Sequence, residues 1–125
     1  MKRDLNLYRE ILVKLETGPP LADGGWPRLD LPDRTEAEIS YHAGLMHSEG
    51  MIDALDVTKA STPAGQYDWK ATGLTPQGHA FLEKIRDEKV WKAVLAKVGG
   101  ASATIALSII EEHAREYVKK LGAGL

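Results

Sequence analysis

Apolar residues recur at helical spacing in five stretches of the sequence, and this periodicity predicts five helices. The predicted helices span residues 3–17, 35–49, 75–86, 87–98 and 102–121. Their ends carry the expected signals, because Thr35 and Glu38 form the pattern of a capping box and Gly50 follows the second helix. Thr75 followed by Pro76 marks the start of the third helix.

Three shorter stretches are predicted to be β-strands, and two of them, residues 66–73 and 27–31, alternate between apolar and polar residues. Residues 51–58 and 66–73 are separated by a segment with Pro and Gly, so we expect a hairpin whose tip projects as a wing. A third, short strand is predicted over residues 27–31, where flanking prolines confine it to a sheet edge. Trp26, which precedes this strand, is expected to cover the core.

Together these elements predict an α+β fold that is mainly α. The order is helix, short edge strand, helix, two-stranded wing and two helices, which is typical of a winged-helix-like domain. We assign residues 1–98 to this domain and residues 99–125 to a C-terminal amphipathic helix that follows a Gly-Gly break. A standard helix-turn-helix places a helix just before the recognition helix, whereas here a loop rich in Pro and Gly precedes residue 35.

The last predicted helix has an apolar seam with alternating steps of four and three residues, which favours packing against a partner helix. The predicted dimer contacts on this seam are Leu107, Ile110, Ala114, Tyr117 and Leu121. Two arrangements fit the pattern: the seam packs within its own domain, or it is buried in a homodimer. The Gly-Gly break favours the homodimer, because it separates this helix from the compact part of the chain.

Two segments resemble bacterial winged-helix regulators. The segment EISYHAGLMHSEGMI resembles the part of those proteins in which the recognition helix runs into the first wing strand. The segment LTPQGHAFL resembles the part that leaves the wing. With MKRDLNLYREIL at the start and GLTPQGHAFLEKIRDEKVW later, residues 1–98 resemble an uncharacterised family of bacterial and phage proteins, domain-of-unknown-function family 2513. The resemblance implies a small, soluble, winged-helix-like domain without an assigned activity, and it supplies no catalytic residues.

Composition limits the chemistry and the cellular context. The chain has no Cys, which excludes disulfides and thiolate metal sites. It has neither an N-terminal apolar signal segment nor a run of 18 apolar residues, so we expect a cytoplasmic protein without a membrane span. The net charge is −2, and neither half of the sequence carries a strong positive charge that would indicate binding to a phosphate backbone.

No catalytic pattern is present, since the HExxH, GxSxG and Gly-rich phosphate-loop motifs are all missing. His42 and His47 lie five residues apart, rather than the four that let two imidazoles on a helix share one metal ion. We therefore predict no enzymatic activity, no cofactor and no metal site. We interpret His42 as a hydrogen-bonded residue at the margin of the core.

The second helix is expected to carry part of the contact surface. The residues predicted on its exposed face are Glu36, Ser40, Tyr41, Gly44, His47 and Ser48. Residues 35–49 include three Glu and no Lys or Arg, a local charge of −3 that would be repelled by phosphate. The predicted contacts to nucleic acid or to a partner, on this helix and on the wing, are Arg34, Tyr41, His47, Lys59 and Lys70.

Two function classes fit these observations. The first is a dimeric winged-helix regulator that binds double-stranded DNA, which the order of helix, wing and helix favours. The second is a protein-interaction module that uses the same scaffold without DNA, because the recognition helix is acidic and no basic patch is present. The sequence alone leaves both open.

Overall fold

The structure is a computed structural model with helices and one small sheet. It describes residues 3–18, 26–62 and 67–97, together with residues 110, 112, 114–117, 119 and 120. The elements are α1 (Leu5–Thr17), α2 (Glu36–Ser48), β1 (Ile52–Asp56), β2 (Trp69–Leu74), α3 (Pro76–Ile85) and α4 (Glu88–Lys97). The described residues between 110 and 120 are also helical. The predicted α+β, mainly helical fold is confirmed at this level.

The predicted ends of α2 and α3 are confirmed by hydrogen bonds. Thr35 and Glu38 form a reciprocal capping box at the start of α2. At its end, Gly50 has a φ of 77°, and its N–H donates to the carbonyl of His47, while the next N–H reaches Met46. This is a Schellman turn, which needs a left-handed residue at the glycine position.

The sheet consists of β1 and β2, which pair antiparallel, and a bulge interrupts the register between Asp53 and Ala54. Ile52 and Ala71 point inward and are buried. The sheet packs on α2 and α1, and α3 follows β2 directly. The hairpin predicted from the sequence therefore forms, although β2 begins at Trp69 rather than at residue 66.

The third predicted strand is wrong. Residues 27–31 form neither a helix nor a strand and pair with no strand of the described part of the chain, although their exposure alternates along the segment. Leu29 and Leu31 pack against the core, so the alternating pattern reports burial of one side of the segment. Alternation predicts which side chains turn inward, whereas strand pairing also needs a neighbouring backbone within hydrogen-bonding distance.

One core joins all the helices. Its α1 members are Leu5, Leu7, Tyr8, Ile11, Leu12 and Leu15. Ile110 and Ala114 belong to the same cluster and have no exposed surface in the single chain, while Tyr117 packs against it. Of the predicted dimer contacts, Ile110 and Ala114 thus lie inside the chain's own core, and Leu107 and Leu121 fall outside the described residues.

No helix in the described part of the chain is both long enough and apolar enough to span a membrane.

Candidate binding groove beside the hairpin

The face of α2 that was predicted to be exposed is partly covered by β2. The Ser40 hydroxyl donates to the carbonyl of Tyr67 and accepts from the backbone N–H of Trp69, both at 2.8 Å. At Gly44, an added Cβ would lie 2.8 Å from the Trp69 indole ring. Gly44 is therefore where the helix approaches this ring, and the prediction that Ser40 and Gly44 face solvent is wrong.

Arg34 was predicted to contact a partner, but its guanidinium is engaged within the chain. It lies 2.6 Å from the Asp4 carboxylate, 3.1 Å from Glu10 and 3.7 Å from Glu38, and its side chain is only 18% exposed. Burial alone would raise the pKa of Asp4, but the Arg34 guanidinium and the N–H groups at the start of α1 hold that pKa below its ordinary value. Arg34 therefore has little freedom to bind phosphate in this arrangement.

His42 is buried and hydrogen-bonded, as predicted. Its Nε2 accepts from the backbone N–H of Asp4 at 2.8 Å, and its Nδ1 lies 2.8 Å from the carbonyl of Glu38, to which it donates. These two bonds fix one neutral tautomer. Burial lowers the pKa of His42 below its ordinary value of 6.5, although the carbonyl of Glu38 and the charge of Asp4 oppose the shift. The imidazole thus connects the start of α1 to α2.

A second polar contact between α1 and α2 lies beside His42. The Tyr8 hydroxyl donates to the Glu49 carboxylate, which also accepts from Arg3 at 2.8 Å. Burial, and after it the adjacent Glu49 carboxylate, raise the pKa of Tyr8 well above its ordinary range. The Tyr8 and His42 rings meet edge to face, with centroids 6.2 Å apart. These groups join two helices, and their surroundings indicate a structural role.

The remaining predicted contacts are more accessible. Tyr41 is 41% exposed on α2. The ring of His47 lies 5.4 Å from that of Trp69, and its Nδ1 is 3.3 Å from the carbonyl of Ile52. Lys59 is exposed beyond β1. The Lys70 ammonium lies 3.4 Å from the Asp68 carboxylate. The Lys70 charge is therefore partly neutralised by a neighbouring carboxylate.

A groove of about 410 Å³ opens on the side of the hairpin. One wall is the segment from Trp26 to Pro32, and the other is formed by the first half of α2 and residues 69–71 of β2. Trp26 is 45% exposed at this groove, so the prediction that it covers the core is wrong. The volume lies within the range typical of ligand and peptide sites.

The groove offers both aromatic surface and charge. Trp26 and Trp69 supply the two indole rings of its lining. Arg28 and Asp30 are exposed along the wall formed by residues 26–32, and neither forms an ion pair with another described residue. Aromatic surface combined with a few charged groups is typical of ligand-binding sites. Among the described residues, no group of three or more His, Asp or Glu side chains could hold a metal ion.

Comparison with known proteins identifies the family. The family described as hypothetical protein (DUF2513) matches residues 2–104. The chain belongs to the DUF2513 family. It is similar to an uncharacterised protein of Haemophilus influenzae, with 31% identity over 126 residues that cover 97% of this chain and 98% of that protein. No solved structure matches the chain. The family resemblance predicted from the motifs is thereby confirmed.

Sequence reasoning missed the groove in this DUF2513 chain. Its walls come from residues 26–32, α2 and β2, which are about 10 to 40 positions apart in the sequence. The alternation of polar and apolar residues over positions 28–31 was the available signal, because it places Arg28 and Asp30, and Trp26 two positions earlier, on the side opposite Leu29 and Leu31. That signal was assigned to a paired strand, and so its outward residues were not considered as part of a binding site.

Proposed function

We propose that this protein is a protein-interaction module on a winged-helix-like scaffold, and that the groove beside the hairpin is its contact surface. The observation that carries the proposal is the exposed indole of Trp26 in a groove next to Arg28. Tryptophan, tyrosine and arginine are the residues that most often dominate the binding energy of protein interfaces. An exposed Trp beside an exposed Arg is thus well suited to anchoring a partner.

The charge of α2 and the contacts that cover it support the same proposal. The helix that a winged-helix regulator would place against DNA carries three Glu and no Lys or Arg over residues 35–49. Ser40 and Gly44 are covered by β2, and Arg34 is surrounded by three carboxylates. Base edges are usually contacted by Arg, Lys, Asn or Gln, so this surface has little of the chemistry for direct readout.

Binding to double-stranded DNA is the second candidate function. The order of helix, hairpin and helix favours it, as do the exposed Lys59 on the hairpin and the exposed Tyr41 on α2. In this alternative the protein would be a cytoplasmic transcription regulator, and a homodimer would let it contact two half-sites. The cytoplasmic location and the homodimer stay predictions in either case.

Four single variants separate the two candidates, because each candidate has one aromatic and one cationic residue at its surface. Trp26→Ala and Arg28→Ala alter the groove, while Tyr41→Ala and Lys59→Ala alter the helix and hairpin surface. The full-length protein is used to select peptides of about twelve residues from a random display library. We expect the groove variants to weaken binding of the selected peptides about tenfold or more, and the other two to leave it within about twofold.

The same four variants are titrated with a duplex of about 20 base pairs at several salt concentrations. DNA binding requires micromolar affinity at low salt that falls steeply as salt rises. If Tyr41→Ala and Lys59→Ala weaken such binding while Trp26→Ala does not, the second candidate replaces the first. A library that yields no peptide dependent on Trp26 contradicts the proposed interaction module. Circular dichroism of each variant checks that the fold is retained.

A further inference from the structure

The start of α1 is joined to α2 through the imidazole of His42. The ring is buried, and each of its nitrogens has one partner: Nε2 accepts from the N–H of Asp4, and Nδ1 donates to the carbonyl of Glu38, both at 2.8 Å. This arrangement requires the neutral ring, because only the neutral imidazole has a nitrogen that accepts. A second proton on Nε2 would point at the N–H of Asp4, so the protonated ring cannot keep its bond to the start of α1.

The carboxylate beside His42 is not free to receive this proton. The Oδ1 atom of Asp4 accepts from the N–H groups of Asn6 and Leu7 and so caps α1. Its Oδ2 atom accepts from the guanidinium of Arg34 at 2.6 Å. Turning the carboxylate toward the imidazole would therefore break either the cap or the ion pair. Asp4 thus cannot bond to the protonated ring without giving up one of its own contacts.

The other groups that face His42 are paired or aromatic. The Glu38 carboxylate on α2 bonds within the capping box and lies 3.7 Å from the guanidinium of Arg34. The rings of Tyr8 on α1 and Tyr41 on α2 meet the imidazole edge to face, with centroids 6.2 and 5.4 Å away. The enclosure is therefore built for the neutral form of His42.

The backbone that covers Nε2 lies outside the apolar core. Arg3 and Asp4 are half-buried, whereas the core begins at Leu5, which is 1% exposed. Residues 3 and 4 can therefore leave α2 while α1 stays packed. Their departure breaks the cap, the ion pair of Asp4 and the 2.8 Å contact of Arg3 with Glu49, but it displaces no side chain of the core. Nε2 then reaches water, which accepts a hydrogen bond from the protonated ring.

We propose that His42 is a pH-sensitive latch on the start of α1: when the ring takes up a second proton, residues 3 and 4 leave α2 while the rest of the fold is kept. Burial of the imidazole holds its pKa below the ordinary value of 6.5, so the closed arrangement prevails at neutral pH and opens as the pH falls. Local opening of this kind involves few buried contacts and precedes global unfolding. The inference does not rest on the proposed function.

The opening changes the charge at the groove, because Arg34 is part of the groove lining. In the closed arrangement its guanidinium has three carboxylate neighbours, and Asp4 is the closest of them at 2.6 Å. When Asp4 leaves, Glu10 and Glu38 remain, so the charge of Arg34 is less neutralised. Acidification should thus make the groove more attractive to an anionic ligand.

The test follows isotope-labelled full-length protein by nuclear magnetic resonance between pH 7.5 and pH 5.0. The ring signals of His42 report its protonation, the amide of Asp4 reports the bond to Nε2, and the side-chain Nε–H of Arg34 reports its ion pairs. We expect these signals to change with one common midpoint below pH 6.5. Protection of the Asp4 amide against hydrogen exchange, corrected for the intrinsic effect of pH, should fall about tenfold or more.

Two controls separate the latch from other effects of acid. The amide of Met51 donates to the carbonyl of Met46 at the end of α2, and its protection should persist over the same pH range. In His42→Gln, the pH dependence of the Asp4 amide should disappear, whereas His79→Gln, which changes an exposed residue of α3, should retain it. If His42→Gln does not fold, the midpoints within the wild-type protein still decide the question.

Three results would overturn the inference. If the Asp4 amide stays protected after the ring signals show the second proton, the closed arrangement accommodates the protonated ring. If Met51 loses protection together with Asp4, protonation unfolds the whole domain rather than its first turn. If the Asp4 amide titrates at a midpoint different from that of His42, or titrates unchanged in His42→Gln, the change belongs to a carboxylate.

Discussion

At the scale of single residues, Arg34, which the sequence singled out for binding, serves the structure instead, and His42 does so as predicted. Arg34 is held by three carboxylates, and His42 joins α1 to α2 through one bond from each ring nitrogen. Their bonds to Asp4 link positions 30 and 38 apart in the sequence, whereas their contacts with Glu38 span only four residues. A residue type that suits phosphate or metal binding suits a buried polar contact equally well, and only its neighbours in space decide between the two roles.

Because His42 is neutral in the folded protein, stability should depend on pH. Its folded pKa lies below the ordinary value of 6.5, so the unfolded chain takes up this proton more readily as the pH falls. Its contribution is therefore complete above about pH 6.5 and decreases below it. Urea unfolding of the wild type should give a lower free energy of unfolding at pH 5.5 than at pH 7.5.

The matched variants isolate this contribution from that of the carboxylates nearby, Asp4 and Glu38. His42→Gln should lower stability by about 1–3 kcal/mol at pH 7.5 through the lost buried hydrogen bond, but it should show a smaller difference between the two pH values. His79→Gln keeps His42 and changes an exposed residue of α3, so the difference seen in the wild type should persist. Equal pH differences in all three proteins would contradict the assignment.

At the scale of elements, the LTPQG segment shows how one stretch fixes both a helix start and a packing contact. The Thr75 hydroxyl accepts from the N–H of Gly78 at 3.0 Å and donates to the carbonyl of Gly50 at 2.6 Å. Gly78 itself lies against the chain between α2 and β1, because an added Cβ would be only 1.9 Å from the carbonyl oxygen of Met51. The cap was predictable from sequence, while the close approach was not.

Gly78→Ala should therefore be strongly destabilising, although alanine is the better helix former by about 1 kcal/mol. The obstacle is a backbone carbonyl, which cannot move aside as a flexible side chain would, so we expect a loss of about 3 kcal/mol or more in the free energy of unfolding. Gly73→Ala is the matched control, since a Cβ there meets no atom within 4 Å. It should change stability by less than about 1 kcal/mol. Similar urea midpoints for the two variants would contradict the packing argument.

At the scale of the whole molecule, the features predicted correctly are those encoded by neighbouring residues. The capping box at Thr35, the left-handed Gly50 and the hairpin all depend on short segments, and the structure confirms them. The strand over residues 27–31 failed because pairing requires a second backbone that the local pattern does not reveal. The groove was missed for the same reason, since its walls meet only after the chain has folded.

The burial of Ile110 bears on the oligomeric state, and it too could not be predicted from the local pattern. The seam pattern alone could not distinguish a partner helix from the chain's own core, whereas the structure buries Ile110 completely among the core residues. Ile110→Ala should thus leave a cavity and lower the free energy of unfolding by about 2–5 kcal/mol. Leu55→Ala is the control, because Leu55 is 43% exposed on β1 and its truncation should cost less than about 1 kcal/mol.

Protein concentration then separates core packing from dimer formation. If Ile110 stabilises the single chain, the urea midpoints of the wild type and of Ile110→Ala keep the same separation across a hundredfold range of protein concentration. If Ile110 lies in a homodimer contact, the wild-type midpoint rises with concentration, because association stabilises the folded state by mass action. Light scattering would then show that Ile110→Ala converts a dimer into a monomer of near wild-type stability, which would contradict the core assignment.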